Sequence, residues 1–138
     1  MRTMALDVGN KRIGVALSDP TGALAQGITV VHHRSRVADA VALAALAHEN
    51  EVAEIVVGLP LLLSGKPGEQ ARGAKRLGAE LRRVSGVPVI YWDERLTTVA
   101  AHRLMHEAGI PSRRHAERID AAAAELILQN YLDWRGRE

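Results

Sequence analysis

The chain has 138 residues, 47% of them hydrophobic and 25% charged, which suits one domain with one core and excludes an intrinsically disordered chain. It has no cysteine, which excludes disulfides, thiolate zinc sites and cysteine nucleophiles, so any metal must be held by oxygen or histidine. Formal net charge is only +2, yet cationic residues gather at Lys11 and Arg12, at Arg82 and Arg83, and at Arg113, Arg114 and Arg118, which suits a phosphate-bearing partner or else a solvated surface.

Two β-branched-rich runs, Thr3 to Gly9 and Arg12 to Asp19, are separated by Asn10 and Lys11 and read as a tight hairpin. The turn signal Asp19-Pro20-Thr21-Gly22 leads into a third strand over Gly27 to His33. Ser35 is placed to cap a helix running to about Asn50, with Val37, Val41, Ala44 and His48 at helical spacing. Glu54 to Leu59 is a short apolar strand of the kind buried on both faces. Beyond the Gly65-Lys66-Pro67-Gly68 loop, Ala71, Ala74, Leu77, Leu81 and Val84 predict a second helix that ends near Gly86, and Pro88 to Trp92 the next buried strand. Thr97 or Thr98 caps a predicted third helix carrying Ala101, Leu104, Met105 and Ala108 and stopped by Gly109 and Pro111. The last helix has the pattern Ile119, Ala122, Ala123, Leu126, Ile127, Asn130, Tyr131 and Trp134, leaving Arg135 to Glu138 as a frayed end. Three antiparallel strands followed by crossovers give an α/β domain over residues 1–138, a mixed five-stranded sheet with helices on both faces. No apolar run approaches the ~20 residues of a membrane span and no signal peptide precedes the first strand, so a cytoplasmic protein is expected.

Asp7 interrupts the apolar run Met4-Ala5-Leu6-Asp7-Val8-Gly9. Burying a carboxylate costs several kcal/mol, as a rough magnitude, unless a cation or strong donors compensate it. A strand-end Asp therefore points to a metal or to catalysis, or else to a turn satisfied by backbone amides. Asp93 and Glu94 follow Val89-Ile90-Tyr91-Trp92 and should emerge at the carboxyl end of that strand, where open α/β sheets place their ligands. Alternation sends the two to opposite sides, so one of them belongs with Asp7. Arg95 is placed to contact phosphate or else to form a structural ion pair. Asp120 follows Ile119 at the expected start of the long helix, where a carboxylate favoured by the helix dipole is the competing reading. His102 and His106, four apart, lack the surrounding pattern of a zinc site.

Leu6-Asp7-Val8-Gly9 through Arg12-Ile13-Gly14-Val15-Ala16-Leu17-Ser18-Asp19, Gly58-Leu59-Pro60 with Gly65, Asp93-Glu94-Arg95-Leu96-Thr97-Thr98, and Ile119-Asp120-Ala121-Ala122-Ala123 running into Ile127-Leu128 closely resemble the bacterial YqgF family. That family is related to the RuvC Holliday junction resolvases within the ribonuclease H-like superfamily. The resemblance spans nearly the whole chain in the right order. It implies a ribonuclease H-like fold and a divalent-metal nuclease whose catalytic and metal-binding carboxylates are Asp7, Glu94 and Asp120, with two Mg²⁺ or Mn²⁺ ions. It also implies a nucleic-acid substrate, either the 5′ end of precursor 16S rRNA or a Holliday junction; the basic residues Lys11, Arg12, Arg95, Arg113, Arg114 and Arg118, read from the charge pattern itself, would meet it. The chain would act as a monomer or homodimer, since symmetric junction cleavage needs two sites. Many relatives in the superfamily carry the second carboxylate on the fourth strand; here that strand ends in Gly58-Leu59-Pro60, so Glu94 must reach in from the fifth.

Two rival readings differ in class. Asp7-Val8-Gly9 followed by Gly14 also resembles the first phosphate loop of actin-like ATPases, but those enzymes enclose nucleotide with a second lobe that this length does not supply. A non-catalytic RNA-binding module would use the basic clusters and need no metal, but leaves the three acidic residues unexplained. Tyr91, Trp92, Tyr131 and Trp134 fall on core-like positions rather than on a base-stacking platform.

Overall fold

A computed structural model of the chain describes residues 1–60, 68–94 and 113–136, without the side chains of residues 113–116 and 118. The predicted helix from Thr97 or Thr98 to Gly109, with His102 and His106, lies outside the described residues, as does Arg95. Strands β1 (Arg2–Val8), β2 (Arg12–Ser18) and β3 (Ala25–His32) form the antiparallel meander. The β1–β2 turn is closed by the Gly9 amide donating to the Arg12 carbonyl at 2.9 Å. Then come α1 (Arg36–Glu49), β4 (Val52–Leu59), α2 (Glu69–Ser85), β5 (Val89–Asp93) and α3 (Arg113–Arg135). The five strands lie in the order β3-β2-β1-β4-β5, with β4 parallel to β1 and β5 parallel to β4.

Strand alternation divides the core in two. Met4 and Leu6 of β1, Ile13, Val15 and Leu17 of β2, and Ile55, Val57 and Leu59 of β4 pack with α1 and α2. Ala5, Ala16, Val56 and Trp92 pack on the other side with Ala124, Ile127, Leu128, Tyr131 and Leu132 of α3. Helices thus cover both faces, as the parallel half of the sheet requires. None of the described helices is long and apolar enough to cross a membrane.

The helices differ from the sequence pattern in their facing. The Ser35 Oγ does cap α1, accepting from the Ala38 amide at 3.1 Å. Yet Val37 and Val41 are 56% and 53% exposed, and Asp39, Ala40, Leu43, Ala44 and Ala47 are buried instead. The Asp39 carboxylate is drawn inward because it accepts the Arg34 amide at 3.0 Å and meets His33 Nδ1 at 2.6 Å, while small alanines let the helix lie close to its neighbours. On α3 the buried line is Ala123, Ala124, Ile127, Leu128, Tyr131 and Leu132, so the face is rotated by about one position and Trp134 is 45% exposed. Tyr91 is likewise 37% exposed rather than core. This helix also starts at Arg113, not Ile119, and has no acidic residue in its first turn. Its last residue, Arg135, is not frayed: it is ion-paired with Glu54.

Candidate functional site

On β1, alternation places Asp7 on the same side as Ala5, the side covered by α3. Asp7 is 5% exposed. In the antiparallel register it faces Gly14 of β2. A Cβ at Gly14 would lie 2.0 Å from the Asp120 carbonyl oxygen, and one at Gly27 of β3 would lie 2.6 Å from the Ala121 carbonyl oxygen. Two neighbouring strands therefore give up their side chains to let the α3 backbone settle on the sheet at Asp120, beside the end of β1. Glycine in a strand is otherwise unfavourable, and its use for close backbone approach is the signal that sequence reading passed over here.

Trp92 faces α3 and Tyr91 faces α2, where its hydroxyl donates to the Lys75 carbonyl at 3.2 Å. Asp93 continues on the Tyr91 side, and Glu94 returns to the side of Asp7. Glu94 is 1% exposed. A Cβ at Gly58 would lie 3.4 Å from both Glu94 Cγ and Glu94 Cδ, and 2.7 Å from Ile127 Cδ1. The missing side chain on β4 thus leaves the space that Glu94 fills from β5. Leu6 pairs with Val57 and Trp92 with Gly58, so Asp7 and Glu94 emerge on either side of β4 at the carboxyl ends of their parallel strands.

Asp120 lies two turns into α3, which removes the reading of it as a helix-start carboxylate. Arg12 Nε donates to Asp120 Oδ2 at 2.7 Å, with the two side chains 20% and 24% exposed. In this structure Arg12, expected to meet phosphate, is thus held by a carboxylate of its own chain. Among the described residues, no group of three or more His, Asp or Glu side chains is placed to hold a metal ion. The three predicted carboxylates share one side of the sheet and one edge, with Asp120 tied to Arg12. Lys11 is exposed in the β1–β2 turn, and Arg113, Arg114 and Arg118 lie on the first two turns of α3.

The chain as a whole is similar to known proteins in sequence and in fold. Residues 1–134 match the model of the RuvX family, described as Holliday junction resolvase. A relative from Myxococcus xanthus (strain DK1622), named "Putative pre-16S rRNA nuclease", is 50% identical over 133 residues, covering 96% of this chain and 88% of the relative. One of the same name from Moorella thermoacetica (strain ATCC 39073 / JCM 9320) is 49% identical, covering 99% of this chain and 98% of the relative. Among solved structures, T. thermophilus RuvC in complex with Holliday junction substrate is similar with a TM-score of 0.61 at 15% identity, over 99% of this chain and 96% of that one. Fowlpox virus resolvase with its Holliday junction DNA is similar with a TM-score of 0.59 at 12% identity, over 98% of this chain and 99% of that one. At such identities the two structures establish a shared fold, that of the RuvC-like, ribonuclease H-like resolvases. The match along residues 1–134 and the identity to full-length relatives place the chain itself: it belongs to the RuvX (YqgF) family of nucleases.

Proposed function

We propose that this chain is a divalent-metal-dependent nuclease that processes the 5′ end of precursor 16S rRNA, with Asp7, Glu94 and Asp120 as its catalytic and metal-binding carboxylates. The observation that carries this reading is the placing of two almost wholly buried carboxylates, 5% and 1% exposed, on one side of the sheet at its carboxyl edge. A fold dedicated only to binding RNA has no use for buried acids at an edge that must receive phosphate. The donor set fits a hard cation. Mg²⁺ is commonly bound through one or two carboxylates, with waters and substrate phosphates completing its shell, so Asp7 and Glu94 would hold it, and Asp120 would join them as the third ligand on leaving Arg12. When bound there, such ions acidify the attacking water and offset charge developing on the phosphate. The chain's own side chains position and bind: Arg12 holds the Asp120 carboxylate beforehand, and Lys11, Arg95, Arg113, Arg114 and Arg118 would track the phosphates. No side-chain nucleophile is needed.

The family's description favours a second substrate, a four-way DNA junction, which would call for a homodimer where RNA trimming would not. The test offers purified protein precursor 16S rRNA, unrelated single-stranded RNA and a four-way junction, each with Mg²⁺, Mn²⁺ or EDTA. Cleavage of the precursor at its 5′ end, dependent on metal, is the expected result. Preferred cleavage of the junction would reassign the substrate, and undiminished cleavage in EDTA would remove the metal from the mechanism.

A further inference from the structure

On the opposite side of β1 from Asp7 lies a cavity of about 300 Å³, bounded by Val8 at the end of β1, by Gly9 and Asn10 of the β1–β2 turn, and by the beginnings of α1 and α2. Since β1, β3 and β4 run in the same direction, the helices that follow β3 and β4 both begin at the carboxyl edge of the sheet. Their positive dipole ends therefore meet here. The N-cap of α2 is Gly68, which has no side chain to satisfy the helix's first amides.

Side chains from separate segments line this cavity: His33 from the β3–α1 link, Arg36 as the first residue of α1, and Arg76 from α2. His33 is not a loose surface ring. Its Nδ1 meets Asp39 Oδ2 at 2.6 Å, and Asp39 is 3% exposed with its other oxygen accepting the Arg34 amide at 3.0 Å. A buried, doubly bonded carboxylate fixes the ring's orientation while leaving its Nε2 edge to the half-exposed side. The acidic groups at the cavity are engaged with side chains of the chain: Asp39 with the His33 ring, and Glu69 with Arg72 at 3.1 Å and Arg76 at 3.6 Å. Arg72, through a hydrogen bond and its charge, and then Arg76 hold the Glu69 carboxyl below its ordinary value. Gly73 leaves the α2 wall open, because a Cβ there would meet nothing nearer than Arg76 Nη2 at 3.9 Å.

We propose that this cavity is a phosphate-binding subsite for the nucleic-acid strand, in which His33, Arg36 and Arg76 bind one phosphate as the strand crosses the Gly9–Asn10–Lys11 turn from the carboxylate side. The proposal rests on the nucleic-acid substrate proposed above. The phosphate is either an internal diester or a terminal monoester, and both present the same oxygen acceptors to the guanidinium forks.

The test measures binding of single-stranded RNA carrying a 3′ fluorophore, with either a 5′ phosphate or a 5′ hydroxyl, by anisotropy in EDTA over a range of salt. It compares wild type with Arg36→Gln/Arg76→Gln, His33→Gln and Gly73→Glu, and uses Arg2→Gln, at the start of β1 on the opposite edge of the sheet, as the control. The double variant should lose about tenfold in affinity, and its salt slope should fall by roughly 0.7 for each phosphate of the single strand that it no longer neutralises. Gly73→Glu, which puts a carboxylate into open space in the cavity, should weaken binding in the same direction. Equal loss on both RNAs identifies an internal phosphate, and loss confined to the 5′-phosphorylated RNA a terminal one. If wild type binds RNA and all cavity variants match it in affinity and slope, the subsite is overturned while the nuclease reading stands. Inorganic phosphate titrated into labelled protein separates the remaining case. Shifts at the Gly9, Asn10 and Gly73 amides without RNA binding retain the anion site and remove its nucleic-acid role, whereas no shift and no RNA binding overturns both.

Discussion

At the start of β4, Glu54 accepts hydrogen bonds from Thr3 Oγ1 at 3.0 Å and the Tyr131 hydroxyl at 3.1 Å, and it is paired with Arg135. Four residues further on, on the same side of the same strand, Gly58 withdraws its side chain so that Glu94 can be buried from β5. The first carboxylate is closed off by groups of its own chain. Burial, and then the Glu54 charge, push the Tyr131 hydroxyl above its ordinary range, so it remains a donor. Arg135 also stacks over the Tyr131 ring at 5.3 Å, which adds packing to the ion pair. The amino edge of the sheet is thus built for cohesion. At the carboxyl edge Gly14 gives space to the α3 backbone at Asp120 and Gly58 to the Glu94 side chain, so acidic residues gather where the parallel strands end.

If the two edges differ in this way, substitution should separate activity from stability. Asp7→Asn or Glu94→Gln should reduce cleavage by a hundredfold or more, on the order of several kcal/mol of transition-state stabilisation, while RNA affinity measured in EDTA stays close to wild type. Loss of RNA binding in parallel with cleavage would make these residues part of the scaffold and erase the contrast.

The next effect is steric. Gly14→Ala forces a Cβ to within 2.0 Å of the Asp120 carbonyl oxygen, a backbone atom that cannot swing aside. Overpacking of this kind should cost about 3 kcal/mol. At Gly58 the nearest obstacle is the terminal Cδ1 of Ile127, at 2.7 Å, so Gly58→Ala should cost about 1 kcal/mol and weaken cleavage by crowding Glu94. Chemical denaturation of both variants checks the order. If Gly14→Ala melts like wild type, α3 is not seated on the sheet as described.

At the other edge, Glu54→Gln leaves Arg135 without its carboxylate beside Tyr131, which should destabilise the fold by about 2 kcal/mol, between the values for exposed and fully buried pairs. Cleavage of the same RNA, assayed well below the melting temperature, should be unaffected. A cleavage defect here would mean that the two edges are coupled through β4.

The sheet was legible because its strands obey simple rules: period-two alternation in β1 and β2, and short apolar runs at β4 and β5. Those rules also sent Asp93 and Glu94 to opposite sides without choosing between them; the choice of Glu94 came from the family resemblance, and the space at Gly58 is where the structure puts that side chain. Helix facing was harder to read. In an alanine-rich helix such as α1 the apolar periodicity barely distinguishes one face from the next, and the decision fell to Asp39, whose bonds to His33 and the Arg34 amide cannot be seen in a hydropathy pattern. The Arg12–Asp120 pair spans 108 residues and depends on how far α3 descends onto Gly14 and Gly27. Long-range contacts of that kind have no local signature, so the basic cluster at Lys11 and Arg12 looked uniform although its two members occupy different settings.

The smallest effect separates a third kind of carboxylate from both edges. Asp19, in the turn between β2 and β3, is half-buried and is held by the chain's own donors. Its Oδ1 accepts the Leu24 and Ala23 amides at 2.9 Å each, and its Oδ2 the Thr21 hydroxyl. These bonds, the Leu24 amide first and Thr21 next, lower its pKa from 3.8 to about 2. A carboxyl whose folded value is depressed stabilises the fold fully only above its unfolded value, and that contribution is lost as pH falls through the folded one. The stability gap between wild type and Asp19→Ala should therefore be constant above about pH 5 and should shrink from near pH 4 through about pH 2, below which the residue is protonated in both states. Denaturation of the two proteins across this range measures the gap directly. A gap that stays constant down to pH 2 would show that Asp19 acts through its shape in the turn and not through its charge, and the turn would then owe its geometry to Pro20 and the left-handed Gly22, at φ 78°.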